Sequence, residues 1–140
     1  RRPSGAGMRR IVVDTNVFVR ALVKEASEHG RIAEALLSSA TLVVTPTVLL
    51  EGEWVMRGIM KISRQTINQL LSAALEIGAF EFEQHASVTV AVRAHAAGMD
   101  FADALHVSLT AAGETFLTFD KGLVKLAQKH INSVSFELAS

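Results

Sequence analysis

Four acidic residues of this sequence stand where a carboxylate could do chemistry as well as carry surface charge. Asp14 directly follows the β-branched apolar run at residues 11–13, and Asp120 follows the run "TFLTF". Asp103 lies in "GMDFADALHVSL" and Glu51 in "PTVLLEGEWVMRG". Carboxylate oxygens are the ligands that Mg²⁺ and Mn²⁺ prefer. If these acids lie together, their mutual repulsion requires a cation, because the sequence places no obvious buried Lys or Arg beside them.

Three of these positions also have an ordinary structural explanation. Asp14 and Asp120 each stand where an apolar strand pattern gives way to a helical one, which is a common place for a helix N-cap. Asp100 is interpreted as an N-cap only, with Asp103 in the first turn of the same helix, where the helix dipole favours an acid. For Asp14 and Asp120 the local sequence leaves cap and ligand open.

The helix that carries Asp103 is apolar nearly all round. At 100° per residue, Asp103, His106 and Thr110 form one narrow polar stripe. We expect this stripe to face a cleft or a small solvent-filled opening, and we expect His106 to be a surface or hydrogen-bonded histidine. No pair of histidines has the HxH or HExxH spacing of a zinc site.

A helical wheel separates Glu51 from Glu53. Glu53 precedes Arg57 by four residues, the favourable order for an ion pair, so it is predicted on a solvated face. Glu51 falls between Trp54 and Val55 on an apolar arc, where a carboxylate needs a partner or a cation. Glu51 is therefore the functional candidate of the two.

Two polar residues adjoin the acids. Asn16 follows Asp14 and Thr118 precedes Asp120, each separated by one residue. Either side chain could orient a ligand or a water molecule, and a hydrogen bond that stabilises the turn is the alternative.

Short strand patterns alternate with helical patterns along the chain. The alternation predicts crossover connections and a mostly parallel sheet, with the short apolar strands buried on both faces. Ligands of such sheets bind beyond the carboxyl ends of the strands, where Asp14 and Asp120 stand. The predicted strands are residues 11–13, 41–45, 79–82, 115–119 and 133–136, and the predicted helices end at or near Gly78, Gly98 and Gly113.

Composition limits the class of protein. The 140 residues are 49% apolar, and no cysteine is present, which excludes disulfides and thiolate metal sites and fits a cytoplasmic protein. Net charge is zero, which argues against holding nucleic acid by bulk charge alone. The mean hydropathy of +0.30 predicts that a partner or a second copy covers some apolar surface. No apolar run is long enough to span a membrane, and no P-loop or dinucleotide motif occurs.

Taken in order, "IVVDTNVFVRAL", "TPTVLLEGEWVMRG" and "GMDFADALHVSLTAAGETFLTFDKGL" resemble the PIN domain. More narrowly, the chain resembles the VapC-type toxin of VapBC toxin–antitoxin pairs, a type II system. The resemblance covers residues 9 to about 136. It implies an α/β, three-layer PIN-like fold with a central, mostly parallel five-stranded sheet. We predict one such nuclease domain over residues 8–140, starting at Met8, and interpret residues 1–7 as a vector-derived or disordered tail.

The resemblance also implies an activity and a site. It assigns Asp14, Glu51, Asp103 and Asp120 to a pocket that binds Mg²⁺ or Mn²⁺ and cuts RNA, and it assigns the polar residue of the T-x-D element to Thr118. Asn16 is a second auxiliary candidate because it lies beside Asp14. It further implies a homodimer and inhibition by a cognate antitoxin protein. A bound ion would activate water, with Asp103 or Asp120 as general base. Basic candidates for holding RNA are Arg20, Lys24, Arg57, Lys61, Lys121 and Lys125.

Other functions compete with this interpretation. A housekeeping PIN nuclease in RNA maturation is the closest alternative. A Mg²⁺-binding signalling receiver requires an acidic pair at the first strand, and Asp14 stands alone there. A phosphatase of the haloacid-dehalogenase type requires DxD, and position 16 is Asn.

Overall fold

A computed structural model describes residues 8–139, so the predicted tail at residues 1–7 lies outside the described part. Strands and helices alternate, which confirms the α/β class. The elements are β1 (Arg9–Val12), α1 (Thr15–Val23), α2 (Glu28–Ser39), β2 (Ala40–Val44), α3 (Pro46–Trp54), a π-helical segment (Val55–Ile59), α4 (Arg64–Glu76), β3 (Phe80–Phe82), α5 (His85–Ala96), α6 (Phe101–Ser108), β4 (Thr115–Thr118), α7 (Lys121–His130) and β5 (Ser135–Leu138).

The strands pair in parallel, as predicted, but they form two sheets in the described chain. One sheet has the order β1-β2-β3, and the other consists of β4 and β5. The expected five-stranded sheet is therefore not confirmed. Alternating patterns predict how many strands exist and their direction, whereas the joining of strands into one sheet depends on pairing between distant segments.

The chain divides into two compact units. The N-terminal unit runs to Glu83 and the C-terminal unit begins at Gln84. The first contains the three-stranded sheet with α1 to α4, and the second contains the two-stranded sheet with α5 to α7. A division into two compact units does not test whether residues 8–140 form a single domain, so that statement stays a prediction.

An aromatic cluster forms part of the core of the N-terminal unit. Phe18 of α1 is fully buried and meets the rings of Phe80 and Phe82 edge to face, at centroid distances of 5.9 and 6.1 Å. Such edge contacts add to the free energy of burying the rings. Helix α1 is thereby held against β3 directly after the turn that contains Asp14.

Helix α3 approaches α1 closely because Gly52 has no side chain. A Cβ atom at Gly52 would lie 2.9 Å from two ring carbons of Phe18, closer than real contacts allow. Gly52 is buried, as are Leu49, Glu53 and Met56 in the same helical run. These spacings of three and four residues define the inward face of the helix.

The C-terminal unit is built around α5 and α6. Phe101 at the start of α6 is buried, and its ring meets the buried imidazole of His95 edge to face at 5.3 Å. Gly98 connects the two helices with a φ of +116°. Helix α6 ends at Ser108, five residues before Gly113, so the expectation that it continues to Gly113 was wrong. The Ser108 hydroxyl donates to the Ala104 carbonyl at 2.6 Å, inside the last turn.

Only the central strand is as buried as the apolar patterns predicted. β2 has neighbours on both sides and is almost wholly buried. β1 is an edge strand, and Val12 at its end is 67% exposed, so the prediction of a strand buried on both faces was wrong for β1. β4 and β5 are also partly exposed, because each has a single neighbour in its sheet.

Large apolar side chains are exposed in both units. They include Ile32, Trp54 and Ile59 in the first, and Leu117 and Phe119 in the second. Within residues 8–139, no helix has the length and apolar character needed to cross a membrane.

Candidate active site

The turn after β1 presents the first candidate carboxylate. Asp14 has an extended backbone, and its Oδ1 accepts a hydrogen bond of 3.0 Å from the amide of Val17. Asp14 is therefore the N-cap of α1, as one of the two predictions had it. The side chain is exposed, and Oδ2 accepts no hydrogen bond from residues 8–139. The cap leaves one carboxylate oxygen available to a ligand.

Glu51 is held beside this turn by the residue that follows Asp14. The hydroxyl of Thr15 donates a hydrogen bond to the carboxylate of Glu51, which joins the start of α1 to α3. The close approach of the two helices at Gly52 makes this contact possible. Within the N-terminal unit, the fold thus brings Glu51 to the turn that carries Asp14.

The burial predicted for Glu51 and Glu53 was wrong, since the two are reversed. Glu51 is exposed, and Glu53 is only 3% exposed. The inward face of α3 is the one that carries Gly52, because the missing side chain lets that face meet Phe18. Glu53 lies on this face, and its charge is balanced by Arg57 through hydrogen bonds of 2.8 and 3.3 Å. The predicted ion pair therefore exists, with a buried carboxylate.

The turn after β4 repeats the arrangement at Asp14. Asp120 is the N-cap of α7, and its Oδ1 accepts from the amide of Leu123 at 3.0 Å. The hydroxyl of Thr118 accepts a hydrogen bond of 3.1 Å from the Asp120 amide, so Thr118 stabilises the turn. Asp120 itself is exposed.

Asp103 lies on the predicted polar stripe of α6. It is half-buried and His106 is exposed, while Ala104, Leu105 and Val107 are buried. Asp100 caps this helix through a 3.1 Å hydrogen bond from the Asp103 amide, as predicted. Burial raises the pKa of the Asp103 carboxyl, and the charges of Asp100 and Asp120 raise it further, whereas His106 lowers it.

A hydrogen-bond network fixes Asn16. The Nε of Arg20 donates to Asn16 Oδ1 at 3.1 Å, and the same guanidinium pairs with Glu25 and donates to the hydroxyl of Ser27 at 3.3 Å. The side chain two residues after Asp14 is thus tied to the connection between α1 and α2. The i,i+4 spacing of Asn16 and Arg20 could have predicted the first of these bonds, since such pairs meet on a helix.

A cleft lies next to Asp14 within the N-terminal unit. Its volume is about 230 Å³. Residues from α1, α2 and the turn before α1 line it: Asp14, Asn16, Val17, Arg20, His29, Ile32, Ala33 and Leu36. Sequence reasoning missed this cleft, because it depends on how the two helices pack.

The candidate ligands are all carboxylates, which is the type of ligand that a hard divalent cation prefers. Each unit brings acids near one another without a neighbouring Lys or Arg in ion-pair contact: Asp14 and Glu51 in the first, Asp103 and Asp120 in the second. Carboxylates alone select Mg²⁺ or Mn²⁺ over softer metals. Within the described residues, no three His, Asp or Glu side chains form a group that could hold a metal ion.

In this α/β chain the acidic residues that cap α1 and α7 lie at the carboxyl ends of parallel strands, where ligands of such sheets bind. The PIN domain model matches residues 11–129, most of the length, and the chain belongs to the PIN domain family. No curated protein matches the sequence. PIN domains are generally metal-dependent nucleases, so the family supports the nuclease prediction at this coarser level.

Proposed function

We propose that this protein is a metal-dependent endoribonuclease and the toxin of a type II toxin–antitoxin pair. The observation that carries the proposal is the family match over residues 11–129, a span that contains all four candidate acids. The match also favours a nuclease over the signalling receiver. A second line of support is that Asp14 and Asp120 occupy equivalent strand-to-helix turns.

Asp14, Glu51, Asp103 and Asp120 are the proposed ligands of Mg²⁺ or Mn²⁺. When bound, such an ion lowers the pKa of a water molecule and stabilises the charge that develops on the scissile phosphate. The cap hydrogen bonds hold Asp14 and Asp120 in fixed directions, and the Thr15 hydroxyl does so for Glu51. Ligands held in advance lose little conformational freedom on binding.

Asp103 or Asp120 is the proposed general base. Asp103 suits this role because its half-buried position and its acidic neighbours favour uptake of a proton. The base accepts the proton of the attacking water as the new P–O bond forms. The bond from phosphorus to the 3′-oxygen breaks and that oxygen takes up a proton from solvent water, which leaves a 5′-phosphate and a 3′-hydroxyl.

The RNA is held locally, since the chain has no net charge. Of the six basic candidates, Arg20 and Arg57 already pair with acids of the protein. Lys24, Lys61, Lys121 and Lys125 are the remaining candidates for phosphate contacts. We further propose that the exposed apolar side chains of Trp54, Ile59, Leu117 and Phe119 are covered in a homodimer or by the antitoxin, in the cytoplasm.

Cleavage of RNA by the purified chain tests the enzymatic proposal. We expect a labelled RNA to be cut with Mg²⁺ or Mn²⁺ and to stay intact with EDTA. Asp103→Asn and Glu51→Gln should abolish cleavage, whereas Glu34→Gln on the exposed face of α2 should not. If the wild-type chain, free of any inhibitor, cuts no RNA with either ion, the enzymatic proposal is wrong.

The toxin role requires a separate test against a housekeeping nuclease. Induced expression of the wild-type chain should arrest growth, and Asp103→Asn should relieve the arrest. Co-expression of a small adjacent open reading frame that encodes a DNA-binding antitoxin should also restore growth. Growth unaffected by an active wild-type enzyme would favour a role in RNA maturation.

A further inference from the structure

Asp14 lines the cleft between α1 and α2, and the other residues of this cleft have no role in the mechanism above. Val17 and Leu36 are half-buried, Ala33 is buried, and Ile32 is 55% exposed, so the walls are largely apolar. A volume of about 230 Å³ lies below the range for drug-sized ligands. The cleft is therefore suited to one small group.

Asn16 and Arg20, which line this cleft, carry hydrogen-bond donors. Arg20 Nε can only donate, so Asn16 must turn its Oδ1 toward it and its Nδ2 amino group away. Neither Asn16 Nδ2 nor Arg20 Nη2 has a hydrogen-bond partner among residues 8–139. The bonds from Arg20 to Glu25 and Ser27 hold the guanidinium in place. A ligand that fits must present acceptors to this pair of donors.

The exposed imidazole of His29 also lines the cleft and has no ion-pair or hydrogen-bond partner within the described chain. An imidazole ring offers a flat face on which a heteroaromatic ring can stack. Together with Ile32 and Leu36, it gives the cleft surfaces that a planar ligand can contact.

Three classes of ligand can be compared on these features. A free phosphate is disfavoured, because the charge of Arg20 is already balanced by Glu25 and because Asp14 lies in the cleft. An apolar peptide side chain would cover the donors of Asn16 and Arg20 without pairing them, which costs free energy. A nucleobase satisfies both the walls and the donors. On the edge that would face these donors, guanine presents O6 and N7 and uracil presents O4, whereas adenine and cytosine present an amino donor at the corresponding position.

We propose that the cleft is a subsite for one keto-bearing nucleobase of the RNA, guanine or uracil, with its acceptor edge at Asn16 and Arg20. This inference rests on the ribonuclease function proposed above and adds base selection to it. Since Asp14 lines the same cleft, the bound nucleotide adjoins the phosphate that is cut.

Binding of mononucleotides tests the subsite without requiring cleavage. The ¹⁵N-labelled full chain is titrated in EDTA with the 5′-monophosphates of guanosine, uridine, adenosine and cytidine, and amide shifts are followed by NMR. We expect saturable shifts in α1 and α2 for guanosine and uridine monophosphates, with dissociation constants on the order of 1 mM. The adenosine and cytidine compounds carry the same phosphate, and we expect their dissociation constants to be at least about fivefold higher.

Two exposed isoleucines provide a matched pair of variants. Ile32→Gln changes a wall of the cleft, and Ile59→Gln changes an isoleucine of similar exposure in the same unit that does not line it. Ile32→Gln should remove the shifts and Ile59→Gln should retain them. Equal binding of all four nucleotides, or shifts only outside α1 and α2, would overturn the inference. So would shifts caused by the peptide acetyl-Leu-Leu-amide and by no nucleotide.

Mapping of cut sites separates this inference from the enzymatic proposal. On an RNA of mixed sequence, wild-type cuts should carry guanine or uracil at one fixed flanking position, and Ile32→Gln should lose this preference while it still cuts. Cleavage that depends on Asp14 but has no such preference overturns the subsite and leaves the nuclease intact. Selective nucleotide binding without cleavage by Mg²⁺ or Mn²⁺ supports the cleft as a keto-base site, while the ribonuclease proposal fails.

Discussion

The turn after β1 and the turn after β4 have the same local structure and different surroundings. Asp14 and Asp120 each cap a helix through a 3.0 Å hydrogen bond from the amide three residues ahead. Beside Asp14 lie a threonine-bound glutamate and an apolar cleft. Asp120 lies close enough to Asp103 of α6 for its charge to act on that carboxyl, as does the charge of Asp100, the N-cap of α6. The comparison shows that the same cap stands in two settings. Around Asp14 it adjoins a hydrogen-bonded glutamate and a cleft, and around Asp120 it adjoins other negative charges.

The largest expected effect is on catalysis, where the two turns should behave alike. Asn can still accept the cap hydrogen bond but lacks the charge that a cation requires. We expect Asp14→Asn and Asp120→Asn each to lower kcat/KM for RNA cleavage by about 10²-fold or more. Initial rates on a labelled RNA with Mn²⁺ check this, with Glu34→Gln as control. If only one of the two Asn variants loses activity, Asp14 and Asp120 do not have equivalent roles in catalysis.

The next effect concerns the contact that places Glu51 near the first turn. Gly52→Ala should destabilise the protein by about 1–3 kcal/mol, because the new methyl group would overlap the buried ring of Phe18. Urea unfolding followed by circular dichroism measures it. Gly58→Ala is the control, since its methyl group would meet Trp54 at an ordinary 3.6 Å. A Gly52→Ala variant as stable as wild type would show that the close approach does not matter.

Removal of either cap should lower the free energy of unfolding by less than Gly52→Ala does, and by the same amount at both turns. Asp14→Ala and Asp120→Ala should each lower the free energy of unfolding by about 1 kcal/mol, whereas the Asn variants should change it by only a few tenths. Thermal and urea unfolding in the absence of divalent ions give the comparison. Asp100→Ala, at the third acidic cap, serves as reference. A cost that is clearly larger at one turn would mean that surroundings outweigh the local geometry.

The helix ends differ between the units in a way that can be tested by exchange. Lys24 ends α1 with a φ of +58°, a conformation that favours glycine, whereas Gly98 follows α5 with a φ of +116°. Lys24→Gly should stabilise the protein by about 0.5–1 kcal/mol, and Gly98→Ala should destabilise it by at least as much. Differential scanning calorimetry should show Tm shifts of opposite sign. Shifts of the same sign would contradict this account.

The smallest expected effect is on the pH dependence of stability. The pKa shift of the carboxyl group considered in each unit should have the opposite sign. The hydrogen bond from Arg10 lowers the pKa of Glu81, whereas burial and two acids raise the pKa of Asp103. Stability from Glu81 is present above its ordinary pKa and is lost as pH falls through the lowered one. For Asp103 the folded state holds the proton longer, so stability decreases as pH rises toward the raised pKa.

Carboxyl ¹³C NMR titration measures both groups directly. Arg10→Gln should raise the pKa of Glu81, and Asp120→Asn should lower the pKa of Asp103 by removing one neighbouring charge. If the Asp103 carboxyl of the wild type titrates at its ordinary pH, the negative charge around Asp120 is not concentrated enough to distinguish that turn from the turn at Asp14.

Local rules predicted much of the fold and the local structure around three of the candidate acids. Strand and helix positions, the caps at Asp14, Asp100 and Asp120, and the stripe with Asp103 depend on nearby residues, whose spacing can be read along the chain. The number of strands per sheet and the burial of β1 depend on pairing between distant segments, which periodicity does not report.

The reversal of Glu51 and Glu53 shows why the rest could not be predicted. A helical wheel ranks faces by side-chain polarity, and here the buried face is selected by the absence of a side chain at Gly52. Likewise, the hydrogen bond from Thr15 to Glu51 joins residues far apart in sequence. The ion pair of Glu53 with Arg57 was predictable, but its burial was not.

The capping role of the acidic residues has an evolutionary consequence. Under the function proposed above, a substitution to Ala at either turn removes an ion ligand and a helix cap together, whereas Asn, Ser or Thr removes only the charge. Descendants that lose catalysis should therefore accumulate Asn, Ser or Thr at positions 14 and 120, because purifying selection on folding persists after selection on activity ends. In such lineages a polar residue kept at both turns would record the history of a nuclease and not its present activity.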